Sequence, residues 1–291
     1  MSSIWELDFY SRPIIDENNK KQWEVLICES PQEIGRETDS LFKYSEFCPN
    51  TTVNSIWLRE ELEKAIAAAP QPPKKIRFFR RQMNNMITKA CEDLGIPATP
   101  SRHTYALNKW LEERFQDFYP HQPGYDATTI NSGSVQYPAS NAVALPDAVR
   151  GDKGDKWAFV TLEAGAFADM NEWDIAFGEA FPLSMIDLTS DTPIPGLIIF
   201  SNRALPLAGW MSGLELGFLE FEEGKFPRVC LETGVSDSWI LANITDPKTL
   251  VEAKGFAQAK IQAKQVHFLA IQSSSKSESF AGFWLLWGGE S

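Results

Sequence analysis

The run Pro73-Lys-Lys-Ile-Arg-Phe-Phe-Arg-Arg81 sets five cations beside two phenylalanines in a chain that is otherwise acidic. Lys and Arg pair with phosphate whatever the base, and Phe rings offer stacking surface to unpaired bases. The mixture therefore suits single-stranded nucleic acid better than duplex. Between Lys74 and Arg114 nine Lys/Arg stand against four Asp/Glu, a local balance of +5. The whole chain has 27 against 39, so the remainder has 18 against 35, or −17. Such asymmetry points to a polyanionic partner met locally. The candidate contacts are Lys74, Lys75, Arg77, Phe78, Phe79, Arg80 and Arg81, with Arg102 further along. The same residues also fit a core strand with charged ends, Ile76-Arg77-Phe78-Phe79 facing inward.

A second chemistry is suggested by acids near the start. Glu6 and Asp8 share one strand candidate and Glu24 lies across a hairpin, a placement reminiscent of ribonuclease H-like nucleases, whose clustered carboxylates hold two magnesium ions. The following strand ought to add a carboxylate and instead brings Lys75, Arg77 and Arg81, which would repel the metals. Glu60, Glu61 and Glu63 sit on a helix where solvation explains them. Later, helix, three strands, helix, strand gives restriction-endonuclease-like order. The strand Trp239-Ile-Leu-Ala-Asn-Ile244, which should carry an acidic-x-Lys pair, has no charge, and Glu220, Glu222 and Glu232 alone are not a metal site.

Cys28, Cys48, Cys91 and Cys230 are widely separated, and the three histidines, His103, His121 and His267, have no metal-ligand spacing. Gly209-Trp-Met-Ser-Gly213 has the wrong spacing for a nucleophile elbow. The expectation is no catalytic residue, no metal and no cofactor. Carboxy-terminal aromatics (Trp239, Phe283, Trp284, Trp287) could stack bases, but tryptophan in alternating apolar strands is first a core feature.

The elements that must hold these residues follow from periodicity. A chain of 291 residues suggests two domains, both mixed α/β. Trp5–Tyr10 and Gln22–Cys28 read as a hairpin. Asn54-Ser55 opens a helix through Leu58, Leu62, Ala65, Ile66 and Ala69, and the basic strand follows. Met83, Ile87, Ala90, Cys91 and Leu94 define another helix, and Ser101 caps a third. The expected domains are 1–120 and 157–291, joined by a connector over 121–156 rich in Pro, Gly, Ser, Asn and Asp. In the second, Trp157–Leu162 and Gly196–Phe200 are strands, and Ala204–Gly213 is helical. Leu214–Phe221, Arg228–Glu232 and Ser238–Ile244 form a meander, and Asp246-Pro247 starts a helix with the stripe Leu250, Ala253, Ala257, Ile261. Val266–Ile271 and Phe280–Trp287 close the sheet. No apolar run approaches the roughly 20 residues that span a bilayer, and the start resembles neither a secretory signal nor a transit peptide. A cytoplasmic protein is expected.

Trp5-Glu-Leu-Asp-Phe-Tyr-Ser-Arg-Pro13 with Lys21-Gln-Trp-Glu-Val-Leu-Ile-Cys28 resembles the opening of the Tab-two/Atab-two proteins of cyanobacteria and chloroplasts. Pro73–Arg80, Arg228–Gly234, Trp239–Ala242 and Phe280–Leu286 are similar to later blocks, so the resemblance covers nearly the whole chain. It implies an RNA-binding protein that supports translation of messages for photosystem reaction-centre subunits, chiefly photosystem I. No activity is assigned to the family. A start directly at the first motif fits a cyanobacterial member. The expected partner is an A/U-rich single-stranded mRNA leader bound at the basic segment, a placement read from charge and not from the family. The alternatives are a metal-dependent nuclease using Glu6, Asp8 and Glu24, and a photosystem assembly scaffold that binds proteins.

Overall fold

Strict alternation along the first strand fixes the architecture of the amino-terminal half. Trp5, Leu7 and Phe9 point to one side and Glu6, Asp8 and Tyr10 to the other, so this strand must lie in a sheet covered on both faces. A computed structural model describes residues 3–129, 141–151 and 154–289. The chain divides into two compact units, Met1–Pro31 with Thr38–Tyr137 and Gln32–Glu37 with Pro138–Ser291. Part of the expected connector, Tyr137 included, lies outside the described residues.

In the first unit the order is β1 (Ser3–Ile15), β2 (Lys21–Glu29), β3 (Lys43–Cys48), α1 (Ser55–Ala68), β4 (Pro73–Phe78), α2 (Asn84–Glu92), β5 (Ala98–Pro100) and α3 (Tyr105–Glu113). The sheet runs β3-β2-β1-β4-β5. β2 is antiparallel to β1 and β3, while β1, β4 and β5 are parallel. The strand, strand, helix, strand, helix, helix order expected from the sequence is present, with two further strands, β3 and β5. β3 is half exposed and β5 has three residues, so neither leaves a hydrophobic run to find. α1 begins as its sequence dictates: Asn54 Oδ1 accepts from the amides of Ile56 and Trp57, both at 2.9 Å. α2 buries Ile87, Ala90 and Cys91 and is followed by Gly95 at φ +68°, a left-handed turn that glycine adopts readily. The cap of α3 is Thr104, not Ser101, whose hydroxyl instead accepts from the amide of His103 at 2.9 Å.

The second unit contains β6 (Val143–Ala144), β7 (Lys156–Glu163), β8 (Ile175–Glu179), β9 (Pro193–Phe200), α4 (Ala204–Ser212), β10 (Leu216–Glu222), β11 (Arg228–Thr233), β12 (Asp237–Asn243), α5 (Pro247–Gln262), β13 (Val266–Gln272) and β14 (Phe280–Trp287). The expected order of helix, meander, helix, strand is present, but its strands belong to two sheets. The meander pairs as β10-β11-β12-β6, and the other sheet runs β7-β9-β13-β14-β8. Leu219, Val229 and Leu231 of the meander share one core with Leu197, Leu269 and Leu286 and with Leu207 and Phe256 of the helices. On α5 the buried positions are Ala253, Phe256 and Lys260, while Ile261 is 61% exposed, so the expected stripe is rotated. Asp246 caps α5 by accepting from the Thr249 amide at 2.9 Å.

A lysine and a histidine enter this core to serve one backbone residue. The amide of Leu219 donates to His267 Nε2 at 2.8 Å, which obliges the ring to carry its proton on Nδ1, where it donates to the Gln265 carbonyl at 2.8 Å. Lys260 Nζ donates to the Leu219 carbonyl and lies 3.3 Å from Glu220. β10 is the last strand of its sheet, so these two side chains replace the ladder bonds that its outer edge lacks at Leu219. Burial, with help from the Lys260 charge, holds the His267 pKa well below the usual histidine value.

Candidate nucleic-acid interface

The face of the first sheet that carries α1 and α2 is apolar, built on Trp5, Leu7, Phe9, Val25, Ile27, Ile76 and Phe78. Alternation places Glu6, Asp8, Glu24 and Arg77 on the opposite side, and all four are buried. Buried charge persists only where it is paired and hydrogen-bonded. Here the pairing is with arginine. Arg12 bridges two carboxylates, Nη1 donating to Asp8 and Nε to Glu24, each at 2.9 Å. Arg80 Nε donates to the other Asp8 oxygen at 2.6 Å. Glu24 also accepts from Arg114 and from the Tyr119 hydroxyl at 2.5 Å. Burial of the Arg12 guanidinium disfavours its charge, but the Asp8 and Glu24 carboxylates more than reverse this and raise its pKa.

Glu6 does a different job. It accepts from the Ser30 hydroxyl at 2.6 Å and from the Leu107 amide at 2.7 Å. Leu107 is the third residue of α3, whose own cap residue, Thr104, makes no side-chain bond to the helix. A strand carboxylate thus takes an amide that the cap leaves open, with its charge at the positive end of the helix.

The three acids expected to hold magnesium in the nuclease alternative are therefore all engaged as acceptors of protein donors. Among the described residues no group of three or more His, Cys, Asp and Glu could hold a metal. The cysteines are all buried and unbridged, and burial pushes the Cys91 thiol up to about 12.

The basic segment is divided by its own strand. Phe78 is buried, Phe79 is 6% exposed and Arg77 3% exposed, so the core-strand reading holds for these three. They offer neither stacking surface nor an open charge, because β4 lies in the middle of the sheet and both its faces are covered. Lys74 is exposed and Lys75 half-buried at the start of β4. Arg80, half-buried, and Arg81, exposed, lie just past its end. At about 3.3 Å per residue, Lys75 and Arg80 are roughly 16 Å apart along the strand. Arg102, half-buried, follows β5, which is parallel to β4, so it shares the carboxyl edge with Arg80 and Arg81.

An aromatic is present at that edge, though not one read from the sequence. The Arg80 guanidinium lies 4.0 Å from the centre of the Tyr10 ring and 4.8 Å from that of Phe79, and Tyr10 is half-buried. Tyr10 and Arg12 were both findable, since they occupy the same alternating positions as Glu6 and Asp8.

Comparison with known proteins gives two family matches, "RNA-binding protein Tab2/Atab2 N terminal" over residues 4–114 and "RNA-binding protein Tab2/Atab2, C-terminal domain" over residues 132–287. "Protein TAB2 homolog, chloroplastic" of Zea mays is 38% identical, the match covering 97% of this chain and 70% of that protein. The Arabidopsis thaliana protein of the same name is 36% identical over 97% of this chain and 74% of its own length.

Proposed function

The chain belongs to the Tab2/Atab2 family of RNA-binding proteins, and from that premise we propose that it binds single-stranded RNA at the carboxyl edge of its first sheet. The observation that carries this placement is the set Arg80, Arg81 and Arg102, gathered where β4 and β5 end, on a chain of net charge −12. A localised cationic edge on an anionic body attracts a polyanion while the remaining surface repels it, which supports this edge as the path of the strand. Tyr10, beneath Arg80, supplies an aromatic rim in place of the buried Phe78 and Phe79. Lys74 and Lys75 extend the track at the far end of β4.

The RNA is an A/U-rich leader of a photosystem reaction-centre message, and binding supports its translation without chemistry on the strand. This part of the reading follows the family likeness. No helix among the described residues is long and apolar enough to cross a membrane, and the two relatives are chloroplastic by name. A cyanobacterial member acting in the cytoplasm is the corresponding assignment here, with protein partners in translation or photosystem assembly.

Changing Lys74, Lys75 and Arg81 together to alanine is expected to weaken binding to an A/U-rich single strand about tenfold, roughly 1.4 kcal/mol. The salt slope should fall by about 2, since each phosphate contact on a single strand contributes about 0.7. Fluorescence anisotropy over a salt series reads both. Wild-type affinity with an unchanged slope removes this surface from the account.

A further inference from the structure

The buried cluster beside the proposed RNA edge is not electrically closed. Among the described residues, these linked ion pairs join three positive charges, Arg12, Arg80 and Arg114, to two negative ones, Asp8 and Glu24, a balance of 3 − 2 = +1. Tyr119 does not supply the missing charge, because burial first and Glu24 next raise its pKa above the ordinary tyrosine value.

The donors are not closed either. Arg12 is fully buried, and its Nη2 has no hydrogen-bond partner among the described residues. Arg80 commits only Nε, to Asp8. Among the described residues its two terminal nitrogens have no hydrogen-bond partner, and they are not sealed from solvent, the side chain being 12% exposed. The guanidinium is nevertheless held: Asp8 fixes one edge and the Tyr10 ring, 4.0 Å away, fixes the plane. Both arginines hang on the same carboxylate, one on each oxygen.

The position in the fold is also that of a ligand site. The chain leaves β1 in one direction to form β2 and β3, then returns to place β4 and β5 on the other side. Order therefore reverses between β1 and β4, and in open α/β sheets the crevice outside the strand ends at such a reversal is where ligands bind. Arg80 stands two residues beyond the end of β4, beside Asp8 of β1.

We infer that the terminal nitrogens of Arg80, held by Asp8 and Tyr10, are a preformed seat for one phosphate group, whose charge balances the cluster. An arginine fork fixed in this way presents two parallel N–H donors, the geometry that a phosphate accepts bidentately. This rests on the RNA-binding reading for the source of the phosphate, which is then a group of the bound strand. The fork itself needs only the oxyanion.

The test uses Arg80→Lys in the full chain, a change that keeps the charge and the partner of Asp8 but removes the fork. Arginine side-chain NMR resonances are followed while inorganic phosphate is added to wild type at constant ionic strength. Saturable shifts of the Arg80 signals, with Arg81 as internal reference, are expected. In parallel, the variant should bind an A/U-rich strand about tenfold more weakly with a nearly unchanged salt slope, because the cation is kept and only the fork is lost. Comparing 5′-phosphorylated with 5′-hydroxyl RNA of one sequence separates the sources: preference for the former assigns a terminal phosphate, and equal affinity a backbone one. If Arg80 does not respond to phosphate and Arg80→Lys binds RNA as wild type does, the seat does not exist and the spare donors are met by water. Wild type that binds no RNA while Arg80 still titrates with phosphate overturns the RNA reading and leaves the seat standing.

Discussion

Replacing Arg12 with methionine is expected to destabilise the protein by about 3 to 5 kcal/mol, although the new side chain is apolar and of similar length. The reason is what remains behind. Arg12 is the bridge between Asp8 and Glu24, and neither its own side chain nor theirs touches solvent. Asp8 keeps Arg80 and Glu24 keeps Arg114 and Tyr119, but each buried carboxylate loses a donor, and leaving a buried charged acceptor short costs about 1 to 3 kcal/mol or more apiece. Urea unfolding followed by tryptophan emission measures it, since Trp5, Trp23 and Trp57 all lie in this unit. Adding Glu24→Gln to Arg12→Met takes the carboxylate from Arg114 as well and is expected to deepen the loss. A deficit below about 1 kcal/mol in the single variant would mean that the network holds charge without holding the fold.

The second large effect is on acid stability. His267 is neutral in the folded protein because Nε2 accepts the Leu219 amide, and its pKa is depressed below the ordinary value by burial and then by Lys260. Unfolding restores an ordinary value near 6.5. Below that pH the unfolded chain binds a proton that the folded chain refuses, so stability falls as pH falls, by up to about 1.4 kcal/mol per unit. Between pH 7 and pH 5 the loss from this residue approaches about 2 kcal/mol. Burial and the cationic Lys260 favour the neutral ring and outweigh the Gln265 carbonyl, which accepts from Nδ1 and pulls the other way; Phe256 packs edge-on at 6.2 Å. His267→Gln can still accept the Leu219 amide but cannot titrate. Its unfolding free energy should therefore be flatter over this range than that of wild type. Parallel curves for the two proteins assign the acid sensitivity elsewhere.

What could be read from the sequence divides along a physical line. Elements announced by local chemistry were legible: the Asn54 and Asp246 caps, the turn at Gly95, the meander strands, and α4 despite Pro206. Phe78 and Phe79 illustrate the opposite case. Aromatics beside cations describe a stacking platform and a central strand equally well, and only the position of β4 between β1 and β5 decides for the strand. The acids were read as clustered, with metal binding kept only as an alternative, but spacing alone does not say which cation faces a carboxylate, and the arginine partners went unread. Arg12 was within reach of that reasoning, two positions beyond Tyr10 on the same alternating face. Arg114 and Tyr119 were not, since they come from an irregular turn after α3, 114–118 being π-helical, where neither helical nor strand spacing applies. Lys260 was hidden for another reason: a lysine is normally assigned to the wet side of a helix, which turned Ile261 inward in the reading and outward in the molecule.

Ultraviolet crosslinking of the full chain to an A/U-rich single strand, with the modified residues located by mass spectrometry, bears most directly on where RNA lies. The account expects adducts at Tyr10 and within residues 79–82 and 101–104, at the edge where β4 and β5 end. Adducts confined to the second unit, for instance at the exposed Phe226 of the β10–β11 turn or at Trp239, would contradict it.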